Sequence, residues 1–400
     1  MSRARFTLAL AVVATVGACG KGGKKAAAAD PVARGTAAYA KYCATCHGPQ
    51  ANGYAADNAP SLRTASFLAS ATDAFLRAGI VRGRPGTAMA AYGKTYGGPL
   101  EDADVDGIIA FLRGGGPARV ELPARPATGD ATGGKTVYDA LCVRCHGTPA
   151  QRSSAVHLAN PVFLATASDA FLRNAVENGR PPTSMVPWKG ALSARQLDDV
   201  LAYVRSLAVP APPPPVAPVD PILGPPRPRS GPVVLNPKGR APDFKLKDDL
   251  YVSIDDVKRA LDEKRRMIIT DARAPSDYGS LHITGAISTP YYEPKSLDDL
   301  PNDGTWVLAY CACPHHVSGQ VVEELRKRGY KHTAVIDEGI FAWQHKNYPV
   351  VAAPTMPPTP APPPLPPRPM VLPAPPGAAA APLRAPPHPL PSPHPAPQRP

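Results

Sequence analysis

Cys43-Ala44-Thr45-Cys46-His47 returns ninety-nine positions later as Cys142-Val143-Arg144-Cys145-His146. Two cysteines separated by two residues and followed at once by a histidine form the attachment pattern of a c-type haem. The order follows from the chemistry. Each thiol adds across one vinyl group of the porphyrin, and the histidine then lies below the ring, where its imidazole binds iron. A redox dithiol, or half of a zinc site that happens to precede a histidine, is the alternative for one such pentapeptide. Two copies in matching surroundings favour haem, one at Cys43, Cys46 and His47 and another at Cys142, Cys145 and His146.

The surroundings do match. Gly35, Tyr39 and Tyr42 lead into the first motif at helical spacing, and Gly134, Tyr138 and Leu141 lead into the second. Further on, Asp73-Ala74-Phe75-Leu76-Arg77 corresponds to Asp169-Ala170-Phe171-Leu172-Arg173. The same offset of ninety-six carries Gly83-Arg84-Pro85 to Gly179-Arg180-Pro181 and Met89 to Met185. A three-residue indel separates the two offsets, and the halves read as a tandem duplication. A thioether is a soft sixth ligand that favours ferrous iron, so Met89 and Met185 are the candidate distal ligands. Core filling is the ordinary role of a methionine. Pro187 follows Met185 closely, whereas Met89 runs into Ala90-Ala91-Tyr92. His157 has no counterpart in the first repeat and reads as a loop residue. Each repeat closes with an amphipathic helix, near Glu101 to Arg113 and near Ser193 to Leu207, with Asp102 and Ser193 as expected caps.

These residues resemble class I c-type cytochromes over about residues 31–117 and 130–209. The resemblance implies two all-α domains, each with one covalent haem c, in which the last helix crosses the first and closes the pocket. With both axial positions filled, it implies electron transfer with redox partner proteins rather than substrate binding at iron.

The chain has 400 residues, enough for two or three domains, and a formal net charge of +12. That balance suits anions or an anionic membrane surface. No dense Lys/Arg run or basic-aromatic stripe is present, so nucleic acid is not an expected partner. Of seven cysteines, four lie in the two motifs and the others are Cys19, Cys311 and Cys313, so no disulfide framework is needed. At the amino terminus, Arg3 and Arg5 precede an apolar run from Phe6 to Val16, the layout of a secretion signal over residues 1–18. Val16-Gly17-Ala18-Cys19 resembles a bacterial lipobox, which implies lipid attachment at Cys19, a tether over 19–30 and a periplasmic, membrane-anchored protein. Ordinary cleavage is the alternative.

The 54 prolines concentrate in two stretches, an expected linker over 210–243 and an expected disordered tail over 352–400. A shorter linker is expected over 118–129. Between the long stretches, residues 244–351 alternate helix and strand. Ser253 caps a helix; Met267–Asp271 and Trp306–Tyr310 read as buried strands; a helix through Leu325 and the strand Ala334-Val335-Ile336 follow. Such alternation implies a parallel sheet with its site beyond the strand carboxyl ends, where Cys311 stands before a helix amino terminus. That field favours a thiolate.

Asp271-Ala272-Arg273, the run from Tyr278 to Ala286, Tyr310-Cys311 and Asp337-Glu338-Gly339 through Trp343 resemble the rhodanese domain. The resemblance implies that Cys311 is the nucleophile that takes a sulfane sulfur as a persulfide, from small sulfur compounds such as thiosulfate or polysulfide. The loop from Cys311 to Ser318 is one residue longer than the pattern and contains Pro314, which has no N–H to donate, and His315 and His316 stand in place of the usual arginines. Glu338 replaces a glycine. Either weaker anion capture or a sulfur donor other than thiosulfate is expected from these departures. Cys313 is either a resolving thiol or an ordinary loop residue. The expected architecture is thus multidomain: two all-α cytochrome c domains and an α/β rhodanese-like domain joined by proline-rich linkers, in which Cys311 is either catalytic or part of an inert binding fold.

Overall fold

The computed structural model describes residues 30–211, 234–312 and 316–353. The expected signal and lipidation site at Cys19, the loop thiol Cys313, most of the 210–243 linker and nearly all of the expected tail lie outside them.

The first repeat comprises α1 (Pro31–Tyr42), the single turn α2 (Ala44–His47), α3 (Ala65–Ser70), α4 (Asp73–Arg82) and α5 (Asp102–Arg113). The second comprises α6 (Ala131–Leu141), α7 (Val143–His146), α8 (Pro161–Thr166), α9 (Asp169–Asn178) and α10 (Ala194–Ser206). Helix α1 starts where the Asp30 carboxylate accepts from the Val32 amide and Pro31 fills the first turn. It packs on α5 at near backbone contact, because a Cβ on Gly35 would stand 1.8 Å from the Gly107 carbonyl oxygen. The same crossing recurs between α6 and α10, where a Cβ on Gly134 would stand 1.9 Å from the Asp199 oxygen. Ser193 caps α10 as expected. The cap of α5 is Glu101, not Asp102: Glu101 and Asp104 form a reciprocal box, and Asp102 is already helical. A carboxylate one residue earlier reaches the same orphan amides, which made the two acids hard to tell apart.

Both repeats are clasped by an arginine. Arg113 donates to the carbonyl of Leu68, to that of Ala71 at 2.6 Å and to the Asp73 carboxylate. Arg205 repeats this on Leu164, Ala167 and Asp169.

The third region contains β1 (Tyr251–Val252), α11 (Ile254–Asp262), β2 (Met267–Asp271), α12 (Pro275–Ser280), β3 (Leu281–Ile283), β4 (Ile287–Ser288) and β5 (Trp306–Tyr310), then α13 (His316–Lys327), β6 (Thr333–Ile336), α14 (Gly339–His345) and β7 (Val350–Ala352). Five strands form a parallel sheet in the order β1-β6-β5-β2-β4, and β3 pairs antiparallel with β7. β2 is buried along its whole length, its apolar start Met267-Ile268-Ile269 continuing into a buried Thr270 and Asp271.

Proline content misplaced two boundaries. Leu235, inside the expected linker, bridges to Met267, its amide 2.8 Å from the Met267 oxygen, and is 4% exposed in the core of the sheet domain. Ala352, inside the expected tail, ends β7, and Ala353 is buried. Nor do the linkers hold the regions apart. The helical repeats share one apolar core, in which Phe75 lies 4.9 Å from Phe171 and 5.9 Å from Phe163 between ring centres. Ala274 of the α/β region joins that same cluster.

Candidate functional site

Each haem-motif histidine sits at the end of a single helical turn that the preceding helix aims inward. The Tyr39 hydroxyl donates to the Gly48 carbonyl at 2.8 Å, and Tyr138 does the same to Gly147 at 2.7 Å, tying each helix to the residue after its histidine. His47 is buried, with Nδ1 2.9 Å from the Pro60 oxygen; Nδ1 of His146 is 2.8 Å from the Val156 oxygen. A carbonyl at Nδ1 fixes the proton there and leaves Nε2 unprotonated. Burial pulls both imidazoles below their ordinary pKa, which keeps them neutral.

The methionine loops are duplicated in detail. Arg84 N bonds Met89 O at 2.8 Å, and Arg180 N bonds Met185 O at 2.8 Å. Each loop begins at a glycine of positive φ, Gly83 at 62° and Gly179 at 63°, a conformation that excludes most side chains. In the second repeat Cys142, His146 and Met185 line one pocket with Leu158, Trp188 and Leu201. In the first, Cys43 and Met89 pack on the shared apolar core.

These residues fit a haem. The pocket of the second repeat brings together the motif cysteine Cys142, the oriented imidazole of His146 and the thioether of Met185, with apolar walls. Nη2 of Arg180 is buried and, among the described residues, finds no hydrogen-bond partner, so it suits a propionate. The dithiol alternative fares badly: burial pushes the thiols of Cys43 and Cys142 up to about 12 and about 11. Burial, the Asp57 carboxylate and, more weakly, the Cys311 sulfur push Cys46 up to about 12. Such thiols are poor thiolates. No group of three or more His, Cys, Asp or Glu side chains gathers to hold a metal among the described residues, so a zinc half-site lacks its other half there. His157 lies in a loop, with Nε2 2.9 Å from the Thr148 oxygen.

Cys311 is buried at the carboxyl end of β5. The Ser318 hydroxyl, in the first turn of α13, donates to its sulfur at 3.2 Å. Ile340 N bonds the Cys311 carbonyl at 3.0 Å, and Gly339, with φ of 72°, approaches so closely that a Cβ would stand 2.8 Å from the same oxygen. The strand beneath is held by a buried network. Arg273 donates to both Asp271 oxygens, at 2.9 Å (Nε to Oδ1) and 2.6 Å (Nη2 to Oδ2), and Tyr310 Oη donates to Asp271 Oδ2 at 2.7 Å. Glu338 adopts a right-handed backbone that needs no glycine, and its carboxylate accepts from Ile254 N at 2.9 Å, capping α11. His316, one of the two histidines in place of arginines, turns away to Asp57 of the first repeat, 3.1 Å between Nδ1 and Oδ1. Ser318 carried only a helix-register signal in the sequence. The arginine clasps carried none beyond their repetition.

Two helical repeats that each present an oriented histidine and a methionine loop, beside a sheet-end cysteine cradled by a helix start, define a c-type electron carrier joined to a sulfurtransferase-type α/β fold. Residues 30–112 and 129–204 match the family described as cytochrome c oxidase, cbb3-type, subunit III, and residues 253–346 match the rhodanese-like domain. The chain is 32% identical over 197 residues to cbb3-type cytochrome c oxidase subunit CcoP of Azospirillum sp. (strain B510), a match covering 44% of this chain and 60% of that protein. It is 32% identical over 89 residues to cytochrome c-554(547) of Halothiobacillus neapolitanus, covering 20% of this chain and 98% of that protein. A solved rhodanese-like domain from Anabaena sp. is similar at 25% identity and a TM-score of 0.24, covering 26% of this chain and 78% of that one. The chain thus belongs to the c-type cytochromes and carries a rhodanese-like domain. It spans 60% of the length of the oxidase subunits it matches.

Proposed function

We propose that the chain is a dihaem electron carrier whose redox chemistry is tied to sulfane sulfur handled at Cys311. Cys43 and Cys46 would hold one haem c and Cys142 and Cys145 the other, with His47 and Met89, and His146 and Met185, as the residues that would ligate iron. A haem c held there would supply one-electron chemistry. The chain's own residues do the rest. The carbonyls of Pro60 and Val156 orient the imidazoles, the methionine loops close the opposite side, and the apolar walls exclude water. The observation that carries the reading is the pairwise identity of the two sites, bond for bond, at His47 and His146 and at Met89 and Met185.

At the α/β site, the Cys311 sulfur would attack the outer sulfur of thiosulfate. The new S–S bond forms as the old one breaks, and sulfite leaves with the electron pair, so Cys311 carries a persulfide. The Ser318 hydroxyl stabilises the charge on the attacking sulfur. Signal cleavage and acylation at Cys19 would place the protein in the periplasm on a lipid anchor. Among the described residues no helix is long and apolar enough to cross a membrane.

A reduced-minus-oxidised visible spectrum with a haem stain on a denaturing gel tests the carrier reading by counting covalent haems. Mixing the oxidised protein with sulfide, polysulfide or thiosulfate tests the link: haems that stay oxidised in every mixture would sink it. A second reading, favoured by the Ser318 bond to Cys311, is a sulfurtransferase with accessory haems. It requires cyanide-dependent thiocyanate formation that disappears in Cys311→Ser.

A further inference from the structure

The duplication allows the two haem-motif faces to be compared position by position, and they differ in one respect: the first is covered from within. Tyr291 Oη donates to the Tyr42 carbonyl at 2.8 Å and lies 3.4 Å from the Tyr92 hydroxyl, while Tyr292 packs edge-on against Tyr42 with ring centres 4.8 Å apart. Ser276 Oγ donates to the Ala91 carbonyl at 2.6 Å, and Gln320 Nε2 to Thr45 Oγ1 at 3.3 Å. Every partner in this contact comes from the rhodanese-like region, and every recipient flanks Cys43, Cys46 or Met89.

In the second repeat the same positions face solvent. Tyr42 becomes Leu141, 41% exposed; Thr45 becomes Arg144, exposed; Cys46 becomes Cys145, exposed. Ala90, buried, becomes Val186, 52% exposed, and Gly93, buried, becomes Lys189, exposed. Neither Arg144 nor Lys189 has an ion-pair partner among the described residues. Leu141 lines one pocket with Cys142, His146, Met185 and Trp188, and Val186 and Lys189 adjoin the last two in the chain. Exposed apolar side chains beside unpaired cations are the composition of a transient docking surface for an anionic protein.

We propose that Leu141, Arg144, Val186 and Lys189 form the docking surface for an external one-electron protein with an apolar centre and a carboxylate rim, and that the rhodanese-like region closes the equivalent face of the first repeat to such partners. This rests on both repeats bearing haem. The chain thereby has an inner site that meets only its own sulfur-handling domain and an outer site that meets other proteins. The duplicated faces have diverged accordingly. Where the contact is permanent, aromatic and hydroxyl groups bond across it; where it is transient, small apolar groups and charge remain.

The test uses the full-length protein carrying both haems, with an acidic flavodoxin as the probe and hydrogen-exchange protection as the readout. Protection of residues 141–146 and 185–190, absent from 42–47 and 89–93, is expected. Arg144→Glu combined with Lys189→Glu should weaken binding about tenfold at low salt, two exposed charge pairs being lost and reversed, and added salt should weaken the unaltered complex in parallel. In Tyr291→Ala/Tyr292→Ala the first repeat's stretches should gain probe-dependent protection. Protection of the first repeat in the unaltered protein, no protection of the second, or indifference to the charge reversals would overturn the proposal. The haem count is taken first, so a one-haem product speaks against the dihaem reading and a failed footprint against the docking surface.

Discussion

The Ser318 hydroxyl donates to the Cys311 sulfur at 3.2 Å, from the first turn of the helix that follows the strand. A hydroxyl so placed favours the charged form of the sulfur over the neutral one. Ser318→Ala is expected to slow alkylation of Cys311 by iodoacetamide about fivefold near neutral pH, the worth of a hydrogen bond of roughly 1 kcal/mol. An unchanged alkylation rate would remove Ser318 from the site.

The Asp271–Arg273 pair lies at the carboxyl end of β2, the neighbour of the strand that leads into Cys311, and both groups are almost wholly buried. Removing one partner strands the other charge away from water. Arg273→Met should therefore lower the stability of the α/β region by about 3 kcal/mol or more, read from urea unfolding followed by Trp306 and Trp343 fluorescence. Tyr310→Phe removes one bond to the same carboxylate and should cost less, about 1 kcal/mol.

Asp277 introduces a pH dependence of opposite sign to the usual carboxylate. Burial, only partly offset by Arg273, raises its folded pKa to about 6 from an ordinary 3.8. Between those values the folded chain binds more protons than the unfolded one, so stability falls as pH rises from about 4 to about 6. Relative to the unaltered protein, Asp277→Asn should gain stability across that window and hold the gain above it. Denaturation midpoints at pH 4.5 and 7 decide the matter; a difference that shrinks with pH would contradict the assignment.

The glycine crossings make a packing prediction. Gly35→Ala would place a methyl 1.8 Å from the Gly107 oxygen, and Gly134→Ala one 1.9 Å from that of Asp199. The helices must separate, at about 3 kcal/mol each, in the upper range for overpacking. Because those helices carry Tyr39 and Tyr138 toward the haem motifs, each substitution should also lower the haem stain of its own repeat.

The arginine clasps predict a parallel loss. Arg205→Met leaves the Leu164 and Ala167 carbonyls and the Asp169 carboxylate without their donor, and should lower the melting temperature by several degrees, for a cost of about 2 kcal/mol. Arg113→Met should match it, and a clear asymmetry would show that the two clasps are not equivalent.

By itself, the sequence determined everything local or repeated. The order of cysteines and histidine follows the haem-attachment pattern, the buried strands are marked by short runs rich in apolar residues, and the helix starts by caps such as Ser193 and Ser253. The duplication drew attention to Met89 and Met185 because both stand at the offset that relates the two repeats. Where neighbouring residues offered the same chemistry, as Glu101 and Asp102 do, the start of a helix was legible and its cap was not. Where composition stood in for structure, Leu235 was lost among prolines although its amide pairs with Met267.

Only the tertiary structure decided what the regions do to one another. Nothing in the spacing of Tyr42, Tyr92, Tyr291 and Tyr292 announces that they meet, because contacts between residues some two hundred positions apart depend on how finished surfaces fit. For the same reason His316 turned out to reach Asp57, and Glu338 to cap α11 instead of crowding the Cys311 loop. The repeats share their motifs, but one is sheltered by the sheet domain and the other faces water; the diverged residues on the two faces are visible in the sequence, and which face is covered is decided by packing.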